Sequence, residues 1–230
     1  MRKTLDMQLS ALCAQLTQMG GLCQKAIAQA ALALKTGDTA MADEAIAADG
    51  EIDQMERDIE ALCLKMLLQQ QPVARDLRQI SSALKMITDM ERIGDQAADI
   101  SEIVTLVAND PPPLELSHID AMAQATCEMV DLSVEAYVRQ DLTLARAVVA
   151  DDDRVDRLFD DVKGELIELI AASPHLGEAA LDLLMIAKYL ERIGDHAVNI
   201  AEWVEFSILG HHPDQSVDIP VEHQPGPGQP

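Results

Sequence analysis

Aromatic residues are nearly missing from this chain: two Phe, two Tyr and one Trp make up 2% of 230 residues. Leu, Ala, Met and Ile must therefore fill the core, and these residues favour helices over strands, which excludes a sheet-built domain. No uninterrupted apolar run approaches the roughly eighteen residues of a membrane span. The start Met1-Arg2-Lys3 has the charge of a secretory leader, but Asp6, Gln8 and Gln15 interrupt what should be its apolar stretch, so no signal peptide is expected. Cys13, Cys23, Cys63 and Cys127 lack any Cys-x-x-Cys spacing and read as small core residues in a reducing compartment, with a cytoplasmic location the expectation. Basic residues are scarce, 17 against 40 acids, for a formal charge of -23. Such a surface repels nucleic acid and anionic lipid and attracts cations or basic protein faces. Phosphate-loop, dinucleotide, nucleophile-elbow and His-Glu-x-x-His patterns are all missing, so the sequence announces no nucleotide binding and no nucleophilic catalysis.

What the chain has is helical periodicity. Met90, Ile93, Ala97, Ile100, Val104 and Val107 recur at three- and four-residue steps, as do Ile52, Met55, Ile59, Leu62 and Met66, and both series read as core faces. Breakers at Gly37-Asp38, Pro72, Asn109 to Pro113, Gln140-Asp141 and Pro174 cut the chain into six helical segments, three in each half. Asp38 and Asp141 are expected as N-caps, and Pro111 to Pro113 as a stiff hinge. The spacing predicts an all-α fold of two tandem, pseudo-symmetric, antiparallel three-helix bundles, residues 1–110 and 111–210. Residues 211–230, rich in Pro, His and Gln, lack an apolar face and are expected to form a disordered tail. Met86, Met90 and Met185 sit at core spacing, and Trp203 and Tyr189 read as packing residues.

The two halves are copies. Glu91-Arg-Ile-Gly-Asp-Gln-Ala-Ala-Asp-Ile100 and Glu191-Arg-Ile-Gly-Asp-His-Ala-Val-Asn-Ile200 match at seven of ten positions, one hundred residues apart. Leu84, Met90 and Glu102 recur as Leu184, Leu190 and Glu202, and upstream Asp49 and Asp53 line up with Asp152 and Asp156 at an offset of 103. The change of offset falls near Pro72 and Pro174, where a loop absorbs extra residues.

The repeated positions include Glu, Arg, Asp and a glycine, which a helical core alone does not require. Glu91, Asp95 and Asp99 stand at i, i+4 and i+8, a stripe that drifts only about 40° per step and is distinct from the core seam. Glu191, Asp195 and Asn199 repeat it, with an amide in the last place, and Asp49/Asp53 and Asp152/Asp156 add a second stripe in each half. Like charges at i, i+4 cost a helix roughly 0.2–0.5 kcal/mol per pair, so something should offset them. Oxygen ligands of this kind suit magnesium, calcium, manganese or iron, and His196 could add a softer ligand in the second half only. The bland reading is a solvated acidic face in which Arg92 and Arg192 partly neutralise Asp95 and Asp195 at i+3. Gly94 and Gly194, helix-interior glycines costing roughly 0.8–1 kcal/mol each, fit either close helix packing or close approach of a ligand. A single Glu115-x-x-His118 match to a di-iron spacing is discounted, because that site needs two copies inside a bundle. A binding protein, a carboxylate-metal enzyme or metal store, and a scaffold with an incidental acidic surface all remain open on the residues alone.

The doubled Glu-Arg-Ile-Gly-Asp on the third helix of each half, with Asp95/Asp99 and Asp195/Asn199, resembles the PhoU family of phosphate-signalling proteins over residues 3 to 209. The resemblance implies a six-helix fold of two bundles and metal ions (iron, manganese, magnesium or zinc) held by Glu/Asp-x-x-x-Asp motifs. In this chain those map onto Glu91, Asp95, Asp99, Glu191, Asp195 and Asn199, with Asp49, Asp53, Asp152 and Asp156 as further ligands. It also implies a non-catalytic negative regulator of phosphate uptake and of the phosphate regulon. The implied partners are the ATP-binding subunit of a phosphate ABC transporter and a phosphate-sensing histidine kinase, with membrane contact only through them; a homodimer is compatible with that role.

Overall fold

The computed structural model describes residues 2–107 and 117–212. Six long helices follow one another: α1 (Arg2–Thr36), α2 (Thr39–Gln70), α3 (Ala74–Val107), α4 (Ser117–Arg139), α5 (Leu142–Ala172) and α6 (Gly177–Leu209), with one 3-10 turn at Pro174–Leu176 before α6. No strand occurs among the described residues. Both expected N-caps are in place. Asp38 Oδ1 accepts from the amides of Ala40 and Met41 at 3.0 and 3.3 Å, and Asp141 Oδ1 from those of Thr143 and Leu144 at 2.8 and 3.3 Å, satisfying helix-start donors that nothing else would bond. Gly37 ends α1 in the left-handed region at φ 69°, and the equivalent Gln140 adopts φ 52° after α4. A side chain there is strained, and Gln140 offsets part of the cost by donating Nε2 to the Tyr137 carbonyl at 2.9 Å.

α1–α3 and α4–α6 form the two bundles, but they are not separate bodies. α3 packs on α6 as extensively as on α2, and α1 packs on α4. The periodic series on α3 faces this shared core, with Met90, Ile93, Ala97, Ile100, Val104 and Val107 all buried. Polar bonds stitch the seam at both ends: the Tyr137 hydroxyl donates to the Gln79 carbonyl (2.8 Å), Arg78 Nε to the Ser207 carbonyl (3.3 Å), and Lys35 pairs with Asp120 (2.5 Å). Met185, expected in the core, is 45% exposed. Its position falls beside the buried stripe of Leu183, Ile186, Ala187 and Leu190 rather than within it. Trp203 and Tyr189 do pack against the core, half-buried. The division at 110/111, the Pro111–Pro113 hinge, Glu115 and the tail from residue 213 lie outside the described residues; His212 is within them, its ring 4.6 Å from that of Trp203.

Candidate functional site

α2 brings Asp49 and Asp53 opposite Glu91, Asp95 and Asp99 of α3, because Gly94 lets the two helices close tightly: a Cβ on Gly94 would stand 2.9 Å from Ile52 Cδ1 and 3.1 Å from Asp49 Oδ1. Arg92 lies along the rim, its Nη1 2.8 Å from Asp95 and its Nε 3.4 Å from Glu91, as the i+3 spacing anticipated for Asp95. Burial pushes the Asp49 carboxyl up, and the neighbouring Asp95, Asp53 and Asp99 charges push it further. Glu91 is likewise raised by burial and by Asp95, against the pull of Arg92. Glu56, which the duplication did not flag, belongs to the same face: burial, then Asp53, raises it. Asp49 Oδ1 and Gln96 Oε1 are both buried without a hydrogen-bond partner, and Gln96 is only 5% exposed. Both residues line a cleft of about 500 Å³ with Arg92, Asp95, Asp99 and Arg192.

Arg192 lies in that first-half cleft, not beside Asp195 as its sequence neighbour suggested. Its guanidinium acts on Asp99, which burial raises and which the Tyr189 hydroxyl and Arg192 hold down. The reason is the seam: α3 and α6 are packed together, so a residue on one reaches the carboxylates of the other.

The second half assembles Asp152, Asp156, Glu191 and Asp195. Burial, then Asp156, Asp195 and Glu191, lift Asp152 to about 6. Burial and Glu191 raise Asp195, and the ammonium of Lys188 opposes them. Lys188 pairs with Glu191 and lies over the ring of Phe159, 5.5 Å from its centroid. His196 and Asn199 are engaged elsewhere. His196 Nδ1 is 2.9 Å from Asp89 Oδ1, and the Asn199 amide donates to the same oxygen at 3.1 Å, so neither is directed as a ligand beside Asp195. Asp89, Lys188, Glu56 and Gln96 were missed because none is repeated in kind: their counterparts are Tyr189, Thr88, Phe159 and His196.

The ten candidate ligands thus gather on two acidic faces, yet among the described residues no three His, Cys, Asp or Glu side chains converge closely enough to hold one ion. The donors are hard oxygens, the kind that magnesium, manganese or calcium takes, and Asp49 Oδ1 and Gln96 Oε1 lack a proton donor, but Arg92 and Arg192 line the first-half cleft among them and Arg57 pairs with Asp53 at 3.4 Å.

The sign of the Asp152 shift makes a stability test. Its folded value of about 6 lies above the ordinary 3.8, so the folded chain holds this proton more tightly; the contribution is fully present below about pH 3.8 and lost as pH rises through 6. Asp152→Asn should therefore be the more stable protein at pH 7.5 in chelator-treated buffer, by up to about 1 kcal/mol once solvent screening is allowed for, with the gap closing by pH 4. Urea midpoints at the two pH values measure it, and a gap that does not change with pH would assign the effect elsewhere.

A PhoU domain matches residues 16–104 and again 119–204. The chain belongs to the PhoU family. The same duplicated, helix-borne motif that the sequence displays is thus a domain present twice. The chain is 39% identical over 178 residues to a phosphate-specific transport system accessory protein PhoU homolog of Aquifex aeolicus, covering 77% of this chain and 80% of that protein. It is 33% identical over 214 residues to the protein of the same name in Clostridium acetobutylicum, covering 93% and 98%. The crystal structure of PhoU from Pseudomonas aeruginosa superposes with a TM-score of 0.85 at 33% identity, covering 90% of this chain and 99% of that one. The phosphate transport system regulatory protein PhoU from Streptococcus pneumoniae gives a TM-score of 0.83 at 26% identity, covering 91% and 99%. No helix among the described residues is long and apolar enough to cross a membrane.

Proposed function

We propose that this chain is a negative regulator of phosphate uptake and of phosphate-regulon signalling, acting in the cytoplasm by binding rather than by turnover. In this reading it bridges the ATP-binding subunit of a phosphate ABC transporter and a phosphate-sensing histidine kinase, and it holds a divalent or trivalent cation on its acidic faces. The observation that carries the reading is the PhoU domain in both halves, together with relatives named as accessory proteins of a phosphate-specific transport system. The charge of -23 supports basic protein faces as partners. A bound cation would neutralise the carboxylates and fix the α2–α3 and α5–α6 faces as docking surfaces. Biasing a kinase toward its inactive state requires tighter binding to that state, and shifting it from 1:99 to 99:1 takes about a 10⁴-fold difference in affinity.

Alkaline phosphatase output in phosphate-rich medium tests this. Deleting the gene should raise output, and complementation should return it to the repressed level. The Asp95→Ala/Asp195→Ala double variant should keep its helical circular dichroism yet leave output as high as the deletion does. Unchanged output on deletion overturns the regulator, and full repression by the double variant removes the acidic faces from the mechanism.

A further inference from the structure

We propose that one end of the first bundle docks on an anionic lipid surface, with Met7, Leu68 and Val73 entering the bilayer boundary and Lys3, Lys65 and Arg75 meeting the lipid phosphates. This gives the chain a membrane contact of its own, where the family resemblance implies contact through partners alone, and it stands independently of the cation and regulator readings.

The packing of the first half brings these residues together. α1 and α2 run antiparallel, tied by Gln29 to Glu44 at 2.8 Å, and Gly94 of α3 faces Ile52 of α2. The first turns of α1, the last turns of α2 and the first turns of α3 therefore share one end of the molecule. There Leu68 is 82% exposed, Val73 72% and Met7 66%, with Leu64 and Leu77 exposed beside them. Val73 sits on a turn in which Gln71 and Ala74 both adopt left-handed backbone, at φ 48° and 47°. Residues other than glycine are strained there, so the fold bears a cost to present this turn. Five apolar side chains are too few for a stable protein interface, which takes roughly 20–30 residues a side, whereas a lipid surface needs no matching groove.

Charge selects the partner. The chain holds 40 acids, yet residues 7–37 and 61–75 contain none. Lys3, Lys65 and Arg75 are exposed at this end, and no ion pair among the described residues uses any of the three. Asp6 and Asp76, the acids closest to them, are engaged in contacts of their own. Glu56, the nearest member of the acidic α2–α3 face, lies twelve residues from Leu68, about 18 Å along the helix and more than two screening lengths at physiological salt. The charge of -23 therefore turns the rest of the molecule away from an anionic surface and presents this end to it. The far end shows the contrast. α3 and α6 run antiparallel, with Arg78 at Ser207 and Asp89 at Asn199, so the aligned α5–α6 turn lies at the opposite end. Ile167 and Leu181 are exposed there too, but Lys65 is replaced by Glu168 and Arg78 by Glu178. Apolar exposure is common to both ends, and the unpaired bases belong to the first.

Co-sedimentation of the full chain with vesicles tests this, using phosphatidylcholine with about one third phosphatidylglycerol against pure phosphatidylcholine at about 0.15 M salt. Binding should appear only with the anionic vesicles and disappear at about 1 M salt, where the screening length shrinks to about 3 Å. Each base near an anionic surface strengthens binding about fivefold, so Lys65→Gln/Arg75→Gln should weaken it by about twentyfold or more. Leu68→Ser/Val73→Ser should weaken it by about tenfold or more with helical circular dichroism unchanged, because both side chains are exposed. Ile167→Ser/Leu181→Ser at the far end should bind as the unmodified chain does. Absence of binding to anionic vesicles, equal binding to neutral ones, or equal weakening by the far-end variant overturns the proposal. Self-association of the chain without lipid, abolished by Leu68→Ser/Val73→Ser while vesicles stay unbound, overturns it in favour of a second copy as the occupant.

Discussion

Tyr137→Ala is expected to cost about 3–5 kcal/mol of folding stability, the range for deleting a buried large side chain whose space the surroundings cannot refill. Tyr137 is 1% exposed, in a chain where aromatics are 2% of residues. Its ring sits where the two bundles meet, and its hydroxyl crosses from α4 to the Gln79 carbonyl of α3 at 2.8 Å. Beside it, Gln140 Nε2 reaches Ser207 Oγ of α6 at 3.4 Å and Arg78 of α3 reaches the Ser207 carbonyl, so three helices from both halves share this corner. Tyr137→Phe keeps the ring and should cost only about 0.5–1.5 kcal/mol, the net value of one hydrogen bond. Urea unfolding read by circular dichroism and by the fluorescence of Trp203 gives both numbers. Because α3 and α6 form a common core, the two signals should coincide in the unmodified protein. Transitions that separate, or a Tyr137→Ala cost below that of Tyr137→Phe, would mean that the halves are stable on their own.

The duplicated glycines should respond in opposite directions to alanine. Gly194→Ala is expected to stabilise by up to about 1 kcal/mol, since a new Cβ there meets nothing nearer than 3.6 Å and the helix gains the alanine propensity. At Gly94 the same Cβ would meet Ile52 Cδ1 at 2.9 Å, Asp49 Oδ1 at 3.1 Å and Ile52 Cγ2 at 3.2 Å. Ile52 is fully buried and branched at Cβ, so it has little room to turn aside. Overpacking of about 1–3 kcal/mol then outweighs the propensity gain, and Gly94→Ala should be destabilising by about 1–2 kcal/mol. Thermal and urea unfolding of the two variants measure the difference. Gly94→Ala should also press on Asp49 and weaken any cation held there, whereas Gly194→Ala should leave the second face as it is. Equal responses at the two glycines would remove the α2–α3 approach as the reason for Gly94.

For Gly94 the structure favours close helix packing, the bland alternative, and for Gly194 ordinary contact. The motif repeats both residues, so sequence identity alone could not separate them; the difference lies in Ile52 against Val155 on the facing helix. Arg92 and Arg192 diverge in the same way. One follows its helical spacing onto Asp95, while the other is drawn across the seam toward Asp99.

Helix content, the six segments, both aspartate caps and the core faces of α2 and α3 were determined by sequence alone, because each depends on spacing along one helix or on the few residues at its end. The duplication was equally legible, and with it the two carboxylate stripes and the family they resemble. Only tertiary structure decided that α3 and α6 lie together, and that single packing choice turned His196 and Asn199 onto Asp89, carried Arg192 to the other half, and left Met185 outside the core. It also decided that Gln96 and Asp49 keep unpartnered oxygens while Lys188 enters the second face. A helical period tells which residues share a face; which face meets which is settled by burial summed over all six helices, and the electrostatics of the site follow from that meeting.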